Sequence, residues 1–172
     1  MYAYPFSGYW KDVGTISSLW EANMDLIGEK PVFNLKEPSW RIFSRNATQP
    51  PHYTGSGAII KNSLITEGCE IYGQVENSIL SNSVTVEAGA TVKDSVLFDN
   101  ITVSEGASVY YSMVDAGTVV GKNATVGKDK DDGGKLTLVG SGLNILPGVS
   151  VPDGELVSQK TLADIGGEAG AK

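Results

Sequence analysis

The chain has 172 residues, 41% of them hydrophobic, with 13 Lys and Arg against 20 Asp and Glu and a formal net charge of −7. That size suits one domain, or a domain with an appendage, and scattered basic residues exclude a nucleic-acid partner, which needs a basic face. No apolar run approaches the ~18 residues that span a bilayer, nothing reads as a secretory leader, and one cysteine, Cys69, rules out an internal disulfide framework, so the expected setting is the cytoplasm.

Tyr2 to Trp10 is rich in aromatics and begins abruptly, which predicts a strand cut from a larger sheet. Beyond Gly14, the run Ile16, Leu19, Trp20, Asn23, Met24, Ile27 has helical spacing, with Gly28 as its stop. Thr15 or Ser17 can cap its start, and Ser18-Leu19-Trp20-Glu21 matches a capping box. A helix this short is marginal in water, so its apolar face must pack on something. Residues 29–57 hold Pro31, Pro38, Pro50 and Pro51 and predict an extended connector.

From residue 58 to 157 the chain repeats itself. Asn62-Ser63-Leu64-Ile65, Asn77-Ser78-Ile79-Leu80, Asp94-Ser95-Val96-Leu97 and Tyr111-Ser112-Met113-Val114 share one pattern. Leu80, Leu97 and Val114 are 17 apart, as are Val86, Val103, Val120 and Val92, Val109, Val126. Each coil thus divides as 6 + 6 + 5, which predicts a hexapeptide-repeat parallel β-helix. Gly68, Gly89, Asn100, Gly106, Gly117 and Asn123 follow three positions after an apolar residue, where a tight corner requires positive φ. Small residues come next: Cys69, Ala90, Ala107, Ala124. Val139, Ile145, Val151 and Val157 continue the rule, with glycines at 142, 148 and 154. An ordinary β-sandwich would not produce three columns of one period. The first coil, Ile65, Ile71, Val75, Leu80, is two residues short, so its wall must pinch or bend.

Residues 127–135, rich in charge and glycine, interrupt the period. The expected form is a solvated loop protruding from the prism, with an anion or effector site through Lys128, Lys130 and Lys135 as the functional alternative. Residues 158–172 form a C-terminal tail. If Ile65, Leu80, Leu97 and Val114 face the shaft, then Leu64, Ile79, Val96 and Met113 form an apolar column outside. Phe98, Tyr72, Tyr110 and Tyr111 add aromatic surface nearby. Such a ridge predicts an interface, to a preceding domain or a neighbouring subunit, and Lys at Ile79 and Val96 should lower the oligomeric state.

Gly8-Tyr9-Trp10-Lys11-Asp12-Val13-Gly14-Thr15, followed by Leu19-Trp20-Glu21-Ala22-Asn23-Met24-Asp25-Leu26, closely resembles bacterial glucose-1-phosphate adenylyltransferase (ADP-glucose pyrophosphorylase). The likeness continues through Trp40-Arg41-Ile42 and Pro50-Pro51-His52-Tyr53 into the first coils. It implies an enzyme joining ATP and glucose 1-phosphate into ADP-glucose and pyrophosphate, for glycogen synthesis. It also implies a nucleotide-binding α/β domain followed by a left-handed β-helix; the crossover rule alone would give the opposite hand. On this likeness the chain is the C-terminal, oligomerisation and regulatory part of such an enzyme, inactive alone, with residues 1–28 the end of the catalytic domain. Asp12 is implied as one of two carboxylates holding Mg²⁺ in the full enzyme, which neutralises phosphate charge. Its partner and the Gly-rich phosphate loop are missing here. The alternative for Asp12 is a carboxylate beside a helix N-terminus.

The family further implies a tetramer and allosteric sugar-phosphate binding near the domain junction. A non-catalytic regulatory subunit of the same family is the alternative. Many hexapeptide-repeat proteins are acyltransferases with a His general base, but the sole histidine, His52, lies in the connector. A repeat carbonic anhydrase needs three His on zinc.

Overall fold

In a computed structural model, residues 1–35, 37–39, 48–165 and 167–169 are described; Trp40-Arg41-Ile42 falls outside them. Nearly all regular structure is short strand, two or three residues long, because each hexad spends the rest of its length turning a corner. Eighteen of these strands stack into three parallel walls. The first wall runs through Tyr53–Thr54, Glu70–Ile71, Thr85–Val86, Thr102–Val103, Val119–Val120 and Leu143–Ile145. The second runs through Ile59–Lys61, Gln74–Glu76, Thr91–Lys93, Ser108–Tyr110, Thr125–Val126 and Ser150–Val151. The third runs through Leu64–Ile65, Ile79–Leu80, Val96–Leu97, Ser112–Val114, Thr137–Val139 and Leu156–Val157. This is a left-handed hexapeptide β-helix of about six turns. It starts at Tyr53, ahead of the expected boundary at residue 58.

Register confirms the period. Ile79 pairs with Val96 and Val96 with Met113, a step of 17 each time. Leu64 to Ile79 is a step of 15, and Met113 to Leu138 a step of 25. The three sequence columns fill the shaft without exposure, joined by Ile71, Val75, Ile145 and Val151. Cys69, Val84, Ile101 and, in a parallel stack, Ala90, Ala107, Ala124 close two corners of the same shaft. Each buried Val, Leu or Ile contributes about 1.5–3 kcal/mol, and stacked neighbours bury what no single coil could.

All nine predicted Gly and Asn corners at 68, 89, 100, 106, 117, 123, 142, 148 and 154 have positive φ. A second left-handed column was not anticipated: Asn62, Asn77, Asp94 and Tyr111 sit at φ 43, 52, 51 and 40. It explains the serine that follows each of them. The Ser78 hydroxyl donates to the Glu76 carbonyl at 2.7 Å and accepts the Ser95 N–H at 3.1 Å. Ser95 repeats this with Lys93 and Ser112, forming a buried ladder along the five-residue corner. Ser95→Ala would orphan the buried Ser112 N–H, so urea unfolding should show a loss of about 1–3 kcal/mol. A loss comparable to that of an exposed serine would count against the ladder.

The far end of the shaft is closed by the segment expected as a tail. Leu162 is buried there, Ile165 packs against the core, and Gly167–Ala169 pairs antiparallel with Leu143–Ile145. At the other end of the sequence, Tyr2 to Trp10, predicted as a strand, forms none. The helix α1 spans Ile16–Met24 with Thr15 as N-cap. Its capping box joins Thr15 to Ser18, one turn earlier than the Ser18-to-Glu21 match.

Candidate functional site

The outer apolar column of the third wall is where the fold meets the rest of the chain. Outward side chains on adjacent strands of one wall align, so Leu64, Ile79, Val96 and Met113 form one stripe. The structure lays α1 across it. Trp20, Val96 and Met113 are buried together, with Leu19, Met24, Phe98, Tyr111, Leu136 and Leu138 packed around them. Ile79 is likewise buried, while Leu64 is half-covered. The column predicted as an interface is thus occupied by a helix of the same chain. Farther along the wall, Leu156 stays exposed.

Trp20 anchors this contact. Its indole N–H donates to the Asp94 carbonyl at 2.9 Å, and its ring meets Tyr111 edge-on at 4.9 Å and 78°. Both partners belong to the left-handed corner, which turns the Asp94 carbonyl and the Tyr111 ring towards the helix. Below them the corner continues as a side-chain ladder. Asn62 donates to Asn77, and Asn77 donates to the Asp94 carboxylate at 2.6 Å.

The 127–135 loop protrudes from the prism with most of its residues exposed, as expected, but it is also tied to the second wall. Its Lys130–Asp132 segment forms a single 3₁₀ turn capped by Asp129. Lys93, on the second wall, donates to both Asp129 oxygens at 3.1 and 2.8 Å and to Asp131 at 3.0 Å. Those carboxylates raise the Lys93 pKa, and Lys93 in turn holds the Asp129 carboxyl below its ordinary range. Lys130 lies 4.6 Å from the Trp20 ring and 5.6 Å from that of Tyr111, a cation–π arrangement. The lysine is turned to aromatic faces, while Lys135 lies along Gly154.

At the other edge of α1, Asp25 accepts from Lys11 and from the Tyr9 hydroxyl, each at 2.9 Å. Lys11 also pairs with Glu21 at 3.3 Å, and Tyr9 rests against Phe33 at 5.5 Å between ring centres. Lys11 lowers the Asp25 pKa, and Asp25 raises that of Lys11. A cleft of about 480 Å³ between α1 and the corner is therefore lined by both signs of charge, Lys11, Glu21, Asp25 and Lys130 among them.

Asp12 is exposed, and its Oδ1 accepts the Gly14 N–H at 3.1 Å, just before the helix cap. Among the described residues no group of three His, Cys, Asp or Glu converges as metal ligands, around Asp12 or elsewhere. His52 is exposed in the connector. Cys69 is buried, its thiol bonded to the Ser81 carbonyl at 3.0 Å, and burial pushes its pKa up. Among the described residues no helix is long and apolar enough to cross a membrane.

Comparison with known proteins matches this geometry. The family model described as GlmU-like, C-terminal hexapeptide, covers residues 48–146. Similar curated proteins are the glucose-1-phosphate adenylyltransferases of Acetivibrio thermocellus, 51% identical over 92 residues, and Clostridium kluyveri, 61% over 82 residues. That of Bacillus mycoides is 54% identical over 90 residues. The matches cover 54%, 48% and 52% of this chain but only 22%, 21% and 24% of those proteins, so it spans less than a quarter of their length. Among solved structures, the acetyltransferase domain of PglB from Neisseria gonorrhoeae superposes with a TM-score of 0.53 at 22% identity, over 61% of this chain and 51% of that one. That likeness concerns the fold alone. With more than half its residues matched, repeat, corners and prism included, the chain belongs to the GlmU-like C-terminal hexapeptide family.

Proposed function

We propose that this chain is the C-terminal scaffold of a glucose-1-phosphate adenylyltransferase, serving assembly and regulation rather than chemistry. The observation that carries the reading is the seat of α1. A helix from outside the repeat fills the apolar column of the third wall, so the prism is shaped to hold what precedes it in sequence. The identity of 51–61% to glucose-1-phosphate adenylyltransferases supports the parent reaction, ATP plus glucose 1-phosphate to ADP-glucose plus pyrophosphate. In that parent Asp12 would be one of two Mg²⁺ carboxylates, the other coming from outside these residues. The metal would neutralise phosphate charge when bound. A homo-oligomer, tetrameric in the parent, and a cytoplasmic setting complete the proposal.

The purified chain is expected to form no ADP-glucose from ATP, glucose 1-phosphate and Mg²⁺. A coupled pyrophosphate assay checks this, and turnover that survives repurification would overturn the division of labour.

A further inference from the structure

We propose that residues 127–135 form a clasp that holds α1 on the third wall and can release it without loosening the coils. The inference goes beyond the functional proposal and does not depend on it, since it concerns only how this chain's own parts are joined.

The first observation is where the extra residues go. The step from Met113 to Leu138 is 25, against 17 for the two coils before it. Yet the strands on either side keep their register: Ser108 to Thr125 is again 17, and Val126 pairs with Val151 in the shaft. The insertion is therefore looped out of the prism at one corner and contributes nothing to the core. Val126 before it and Val139 after it are both shaft residues.

The second observation is that this excursion is held at both ends of its reach. Asp129 serves twice, accepting the Asp131 N–H at 3.0 Å to shape the turn and taking two bonds from Lys93. Asp131 adds the third. Gly133, at φ 77, and Gly134 allow the chain to fold back, the Gly134 N–H donating to the Asp129 carbonyl at 3.0 Å. A side chain at Gly134 would come within 2.3 Å of the Lys128 carbonyl oxygen, so the return is tight. Between the two aspartates, Lys130 is turned the other way, onto Trp20 and Tyr111. Three consecutive side chains thus grip the second wall on one side and the anchor of α1 on the other.

The third observation is the chemistry of the grip. The contacts to Lys93 are charge-assisted and part-exposed, and Lys130 is exposed over its rings. Such contacts are worth little to global stability but can bias a local opening. A nine-residue helix has little stability of its own, so its docking responds to a bias of that size.

The test is amide hydrogen exchange on the intact chain. Lys93→Met and the double change Asp129→Asn with Asp131→Asn should each speed exchange in α1 by about tenfold, leaving the amides of Val92 and Val109 unchanged. Lys93→Arg, which keeps the charge, should restore most of the protection. Unchanged exchange in α1 would overturn the clasp, as would equal acceleration of α1 and the coils. Either result leaves the ADP-glucose assay untouched, so the two proposals fail separately.

Discussion

Trp20→Ala should detach α1 from the third wall, at a cost of about 3–5 kcal/mol to the local opening equilibrium. Trp20 is only 6% exposed and is the buried residue of α1, its large indole packed on Val96 and Met113. The change also removes the bond to the Asp94 carbonyl, the edge contact with Tyr111 and the ring beneath Lys130. Thr15 and Ser18 can still cap the first turn, but a cap of about 1 kcal/mol does not hold a nine-residue helix by itself. Exchange should therefore accelerate together in α1 and in the 127–135 loop, while shaft amides keep their protection. Trp20→Phe separates the terms, since it keeps an apolar ring and loses the N–H donor, at about 1 kcal/mol. Persisting protection of α1 in the Ala variant would mean that the apolar seat is not what docks it.

Gly73→Ala should destabilise the prism itself by about 3 kcal/mol, or roughly 10 °C in Tm. Gly73 lies where the first coil is short, between Ile71 and Val75, both in the shaft. To cross that corner in fewer residues the backbone closes on the coil above. A Cβ at Gly73 would sit 2.4 Å from the Ala90 carbonyl oxygen and 2.6 Å from that of Glu87. Both are backbone atoms, which cannot swing aside as a side chain would. Gly57→Ala is the matched control: nothing lies within 4 Å of a Cβ there and its φ is not positive, so the change should be neutral or slightly stabilising. Thermal melts of the two variants side by side read the difference. Equal melting temperatures would show that the pinch relaxes without strain.

Much of the prism was legible in the amino-acid order because each coil repeats the same local demands. Leu80, Leu97 and Val114 face the shaft since pleated strands alternate sides, and Gly89, Gly106 and Gly117 turn corners that need positive φ. Even the pinch at Gly73 was visible as two missing residues, though not the carbonyl oxygens that require a glycine there. The Ser63, Ser78, Ser95, Ser112 repeat was visible too, but its meaning was not. A hydroxyl that bridges one coil to the next is a relation between residues 17 apart, and only register brings them within 3.1 Å.

The candidate site divides along the same line. Leu64, Ile79, Val96 and Met113 follow from alternation as an outward column, and α1 follows from its spacing and Thr15 cap. That the two meet was decided by the tertiary structure alone. So was the tether of the loop, since Lys93 lies 36 residues from Asp129. Periodicity encodes what faces the shaft, since every coil must satisfy the same neighbour above and below. Outside the shaft no such repetition operates: which apolar stripe a helix covers, and which lysine an aspartate finds, depends on contacts each made once.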